Sequence, residues 1–179
     1  MIHVMAHITV SVEYGMHSLL WLVGESDRPR SGRDLAAFQG IPPSYLLKVL
    51  AKLEKAGIVR AFEGARGGFR LGRPPEEITL LDVVDAIEGR KPLFDCQEVR
   101  GRCALFQPER PAWADHGVCS IHAAMLQAEK AMRSSLAAQT LAQISASVAT
   151  KAPDTFSASV SDWFENRKAQ PAQRAGEGT

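Results

Sequence analysis

SGRDLAAFQGIPPSYLLKVLAKLEKAGIVRAFEGARGGFRLGR, residues 31–73, is the stretch that decides the fold. Ser31 followed three residues later by Asp34 is a capping pair, whose side-chain oxygens can accept from the free amides of a helix start. Gly40 ends that helix, and Ile41, Pro42, Pro43 and Ser44 make a stiff turn. In the run YLLKVLAKLEKAG, Leu46, Leu50 and Leu53 recur at helical spacing, which predicts a second helix with Lys48, Lys52 and Lys55 elsewhere around it. Gly57 closes that helix. IVRAF and FRL then read as two short strands around EGARGG, where glycine can take positive φ. Helix, tight turn, helix and basic hairpin together make a winged helix-turn-helix. The expected fold class is mainly α with a small β wing.

Charge points this head toward a polyanion. From residue 27 to residue 73 there are ten Lys and Arg against four acids, whereas the whole chain of 179 residues is only +1, so the remainder carries −5. Basic charge concentrated on a helix and wing is the footprint of a phosphate-binding surface, and double-stranded DNA is the expected partner. Ser44 and Tyr45, at the start of the second helix, are expected to approach the groove. Lys48, Lys52, Arg66, Gly67 and Arg70 complete the candidate DNA-binding set. A winged helix used for protein interaction is the alternative, since fold alone does not fix function.

Outward from this stretch, residues 7–23 place Ile8, Val12, Met16, Leu19, Leu20 and Val23 on one helical stripe that should back the reading head. Glu13 falls at its polar edge. After the wing, GRPPEE forbids helix, and Thr79 with Asp82 caps a short helix, LLDVVDAIEG, ending at Gly89. Residues 90–117 show little periodicity and hold two of the three cysteines, and loops this long inside compact domains are usually functional or disordered. From Ser120, the apolar positions Ile121, Met125, Met132, Leu136, Leu141 and Ile144 predict one long alanine-rich helix, about 35 Å at roughly 1.5 Å per residue. Its apolar face is expected to meet a second copy, giving a two-fold homodimer that charges at Leu136 and Leu141 should separate. The tail after about Asn166 is expected to be disordered. The implied division is 7–90 for the winged domain, 91–119 for a cysteine-bearing sensor loop, 120–148 for the dimerisation helix and 149–179 for a C-terminal segment.

The start MIHVMAHITVSV has neither a basic leader nor a small-residue cleavage site, and no membrane span is present, so a cytoplasmic protein is expected. Three cysteines in such a chain argue against a disulfide framework and leave metal binding, redox chemistry or inert burial. Cys119 and His122, three apart at a helix start, are expected to aim to one side. Cys119 and His122 with Asp115 could also be read as a thiol nucleophile and its base, but no sign of a formed pocket or oxyanion donors accompanies them, so the chain is not read as an enzyme.

The segments VEYGMHSLLWL, DLAAFQGIPPSYLLKVLAKLEKAGIVRAFEG and GGFRLGRPPEEITLLDVVDAIEG, followed by a cysteine loop and a long helix, resemble the Rrf-two family of bacterial regulators, in which IscR-like and NsrR-like members occur. The resemblance implies a homodimeric transcription factor on a palindromic operator, sensing redox state, nitric oxide or iron–sulfur status at the loop. It further implies Cys96, Cys103, Cys119 and His122, with Glu13 reaching across the dimer, as ligands of an iron–sulfur cluster. A two-iron two-sulfur cluster is favoured over a four-iron four-sulfur one, since imidazole can replace a thiolate on iron. Zinc in a Cys-Cys-Cys-His site is the alternative cofactor, and a metal-free regulator sensing a small molecule or thiol oxidation is the other. The chain departs from family patterns at Gln39, where a redox-responsive subgroup has a histidine, and at Leu47, where IscR has a glutamate. The long interval from Cys103 to Cys119 makes Cys103 the cysteine expected to be most dispensable.

Overall fold

The computed structural model describes residues 8–24, 28–64, 67–106, 109–114 and 116–168. Helix α1 (Val10–Leu20) is capped by the Thr9 hydroxyl, which accepts from the Ser11 amide. Helix α2 (Gly32–Gln39) starts where Ser31 Oγ accepts from the Asp34 amide at 3.0 Å and stops at Gly40, whose φ of 66° is left-handed. Helix α3 (Pro43–Lys55) begins on a proline, tolerated there because its missing amide hydrogen would have had no partner. It buries Leu46, Val49, Leu50 and Leu53 against α1, α2 and α4 (Leu80–Glu88).

The wing is an antiparallel pair, β1 (Val59–Phe62) and β2 (Gly68–Leu71), in the register Val59↔Leu71 to Phe62↔Gly68. Arg30 bridges to Phe69 with both backbone hydrogen bonds, 2.8 and 3.0 Å, and so adds a third strip to the sheet. Close approach explains two glycines. A Cβ on Gly15 would lie 2.5 Å from Ile87 Cδ1, so α1 rests on α4 at that point, and a Cβ on Gly67 would strike the Phe62 carbonyl across the wing turn.

One expectation is corrected beyond α4. The long helix is two helices, α5 (Ser120–Ala137) and α6 (Leu141–Lys151). Thr140 and Gln143 form a reciprocal capping box that starts a new helix, and residues 139–141 pair with 78–80 through Leu80 N–H to Gln139 O and Leu141 N–H to Ile78 O. Leu141 is 2% exposed and belongs to the core of the winged domain. It is therefore not a surface position on a dimer stripe. The C-terminal segment is also partly helical: α7 (Phe156–Lys168) inserts Val160 and Phe164 into the same core. Its Trp163 and Phe164 rings lie 4.8 and 5.1 Å from Phe38, which in turn meets Trp21 edge-on. The apolar residues of α7 are few but large and aromatic, so the helix packs on the core without a strong helical period. The expectation for 169–179 lies outside the described residues.

Helix α5 is fastened to α4 by one ion pair, with Arg133 donating to both oxygens of Asp85 at 3.0 and 2.8 Å. The Arg133 hydrogen bond holds the Asp85 carboxyl below its ordinary range, against an opposing push from burial, with the charges of Arg133 and Arg90 adding to the lowering. Because the folded-state pKa lies below the unfolded one, this stabilisation is fully present above the ordinary carboxylate value of about 3.9 and is lost as pH falls through the lower folded value. We expect urea midpoints of the protein to fall along that acid limb and those of Asp85→Asn to be lower at neutral pH but flatter below about pH 4. Parallel midpoint-against-pH curves for the two proteins would remove Asp85 from the account.

Candidate nucleic-acid interface and sensor loop

The exposed side of α3 is what the apolar spacing leaves over. Ser44 and Lys48 are exposed there, along with Lys55. Tyr45 stays 39% exposed but is anchored to α1, its hydroxyl 2.7 Å from Ser11 Oγ and its ring edge-on to Tyr14 at 5.7 Å. Such pinning fixes the entry end of α3 against α1. Lys52 is exposed as well, but its ammonium donates to the Ile87 carbonyl at 2.6 Å, near the C-terminus of α4, where free carbonyls favour a cation. It is held to its own domain. Leu47, 41% exposed, reaches the start of α2, its Cδ2 2.6 Å from where a Gly32 Cβ would lie.

On the wing, Arg60 and Arg70 stand directly opposite each other, and both lie over the Phe62 ring, at 5.5 and 5.8 Å. Like charges paired across strands cost stability, so a shared basic face suits an anionic ligand better than the fold itself. Arg60 is not among the candidate DNA-binding residues named from the sequence, and the wing register adds it by pairing it with Arg70. Arg66 lies outside the described residues.

In the loop, the structure brings together a different set from the one expected. The ligand atoms of Cys96, Glu98 and His122 lie within 4.8 Å of one another, while among the described residues no such group includes Cys103, Cys119 or Glu13. Glu98 has φ 48°, the one non-glycine in the left-handed region among the described residues, and this turn doubles its carboxylate back toward Cys96 Sγ, 3.9 Å away. Arg100 holds the other Glu98 oxygen at 2.9 Å and reaches the Gly117 carbonyl at 2.6 Å, tying the two ends of the loop. His122 projects from the first turn of α5 and lies 6.1 Å from Phe94. The Leu93 amide donates to Glu129 on the same helix. Cys119 fails to join because it is the N-cap of α5, with ψ 132°. The spacing rule that would aim it with His122 holds only for residues inside a helix. Glu13 is exposed in the first turn of α1, and Gln39 donates to Ser18 Oγ at 2.9 Å and to the Leu35 carbonyl, an internal structural role. Asp115 lies outside the described residues.

A thiolate, a carboxylate and an imidazole at this separation fit a single divalent ion, with one position left for water or a fourth ligand. A two-iron cluster takes four protein ligands. These three donors alone do not complete one.

The family model named Rrf2, described as an iron-dependent transcriptional regulator, matches residues 8–147. The chain belongs to the Rrf2 family. It is 33% identical over 138 residues to protein rrf2 of Nitratidesulfovibrio vulgaris, covering 76% of this chain and 85% of that one. Several other curated relatives are matched over little more than half of their length. Solved structures with the same fold include an IscR of T. potens (TM-score 0.56, 24% identity, 76% of this chain and 84% of that one). They also include CymR, titled the global cysteine regulator of B. subtilis (TM-score 0.57, 23% identity, 79% and 98%). As an Rrf2 member, the chain is a winged-helix transcriptional regulator that binds DNA, and members of this family are not enzymes. Among the described residues no helix is long and apolar enough to cross a membrane.

Proposed function

We propose that this Rrf2 regulator binds a palindromic operator as a homodimer and that a metal at the loop sets its affinity. The observation that carries the metal reading is the convergence of Cys96, Glu98 and His122, with His122 on α5 and α5 joined to the reading head by Arg133 and Asp85. A bound metal supplies a fixed charge that holds loop and helix in one arrangement, and such a ligand shifts DNA affinity only by its different affinities for the two arrangements. Membership of a family described as iron-dependent favours iron over zinc as the ion. An iron–sulfur cluster is the second reading, supported by the likeness to IscR and by Cys103 and Cys119 on the same loop; it requires one or both to move to the Cys96–His122 pair. Dimerisation is supported by α5, which buries none of its residues and leaves Ile121 67% exposed on a stripe with Ala124 and Ala128. Ser44, Lys48, Arg60, Arg66, Gly67 and Arg70 form the proposed DNA-facing set.

The test is operator titration as a function of salt, using protein purified without air and analysed for iron, sulfide and zinc. We expect metal-bearing and chelated protein to differ in operator affinity. We also expect Lys48→Ala to lower the magnitude of the salt slope by about 0.9, as loss of one phosphate contact does, and Lys52→Ala to leave it unchanged. Metal-free protein with unaltered operator affinity would sink the sensor and leave the DNA-binding assignment standing.

A further inference from the structure

Among the described residues, three buried side-chain donor atoms have no hydrogen-bond partner: Trp21 Nε1, Arg30 Nη1 and Arg73 Nε. All three belong to side chains lining a single cleft of about 210 Å³ between the C-terminal end of α1 and the base of the wing. Leaving a buried donor unpaired costs about 1–3 kcal/mol each, and more for a charged group, so three together ask for an acceptor. The described lining holds four arginines, Arg28, Arg30, Arg70 and Arg73, and no carboxylate. Part of their charge is answered from outside the cleft, Arg28 by Glu165 at 3.3 Å and Arg73 by Asp82 at 3.1 Å. Arg30 has an aromatic face instead, its guanidinium 4.1 Å from the Phe164 ring centre, and burial pushes its pKa down while Glu165 pulls it up. The other walls are apolar: Leu22, Val23, Phe69 and Leu71.

Cationic donors together with apolar walls describe a receptor for an amphipathic anion. We propose that this cleft binds a small organic acid, its carboxylate taken by Arg30, Arg73 and the Trp21 indole and its apolar body laid against Phe69 and Leu71. At about 30 Å³ per water, the space equals several waters or one organic acid with a single ring. The unpaired donors are closed to water in the present arrangement, so binding includes a small rotation of the two guanidinium groups and of the Trp21 indole toward the carboxylate, where charge-assisted hydrogen bonds replace none. The cleft shares β2 with the wing, and Arg30 is hydrogen-bonded through its backbone to Phe69 on that strand. Occupancy therefore bears on the wing directly, independently of what the sensor loop holds.

The probe is benzoate, with benzamide as its neutral shape match and inorganic phosphate as a compact anion, followed through the indole N–H resonances of the full-length protein. The chain has three tryptophans, 21, 113 and 163, and the signal lost in Trp21→Phe assigns that of Trp21. Benzoate is expected to shift the Trp21 signal saturably, benzamide to leave it in place, and Arg73→Gln to weaken benzoate about tenfold, the loss of one charge-assisted hydrogen bond. Arg30→Gln removes the cation beneath Phe164 and can weaken the fold, so Trp21→Phe, followed by calorimetry, is the second variant and is expected to weaken benzoate as well. A Trp21 signal that no probe moves overturns the proposal. Equal binding of benzamide overturns it too, as does phosphate binding without benzoate, or unchanged benzoate affinity in both Arg73→Gln and Trp21→Phe.

Discussion

Leu141→Ala is expected to lower folding stability by about 2–5 kcal/mol, the cost of removing a leucine side chain from a packed core, and Leu141→Asp to prevent folding of the winged domain. The residue is 2% exposed, first in α6, with its amide given to Ile78 across the short pairing that precedes α4. The loss is therefore predicted in urea unfolding at constant protein concentration, with no folded monomer accumulating. Ile121→Glu, on the open stripe of α5, is expected to do the reverse: the unfolding midpoint of the subunit is kept while sedimentation shows dissociation of the proposed dimer. A Leu141→Asp protein that keeps its midpoint and merely halves its mass would return Leu141 to a subunit interface.

The second large effect concerns the loop. Cys96→Ala and His122→Ala are each expected to reduce affinity for the bound metal by at least about a hundredfold, beyond the 10–100-fold typical of losing a mere supporting group. Glu98→Gln keeps the shape and the Arg100 contact region but loses the negative charge, and it is expected to weaken the metal less than either. Cys119→Ala separates the two metal readings. With a single ion on Cys96, Glu98 and His122, it leaves metal content unchanged; with a cluster that recruits Cys119, it abolishes both sulfide content and visible absorption. Metal content retained in both Cys96→Ala and His122→Ala would refute the site.

Local signals in the sequence were sound wherever the deciding contact is itself local. Ser31 with Asp34, Thr79 with Asp82 and the left-handed Gly40 all act within one turn of chain, and each bounds the element expected of it. Thr140 with Gln143 is the same kind of signal, but an apolar period running through it suggested continuity. The period measures which side is apolar, not whether the axis stays straight. Lys52 and Lys48 are equivalent by composition, and only the arrival of α4 beside one of them gives Lys52 a backbone partner. The structure does not bring the expected cysteine set together, and the reason is conformational. Cys119 sits just outside the helix that contains His122, and Glu98 enters through a backbone angle that its residue type rarely adopts. Family likeness carried the fold and the regulatory class, while the donor group of the loop came from the geometry.

The seating of α7 has a consequence for how the molecule is made. Val160 and Phe164 share one core with Val12, Leu19 and Leu35, and Trp163 covers Phe38 on α2. Contacts spanning about three-quarters of a chain close late, because loop-closure entropy is met before they form. A nascent chain emerging N-terminal end first has all of α1, α2 and α3 in hand well before these aromatic residues are synthesised. Until then Trp21 and Phe38 lack their cover, so the helix-turn-helix exists first as an incomplete body and reaches its full rigidity only after synthesis has passed residue 164.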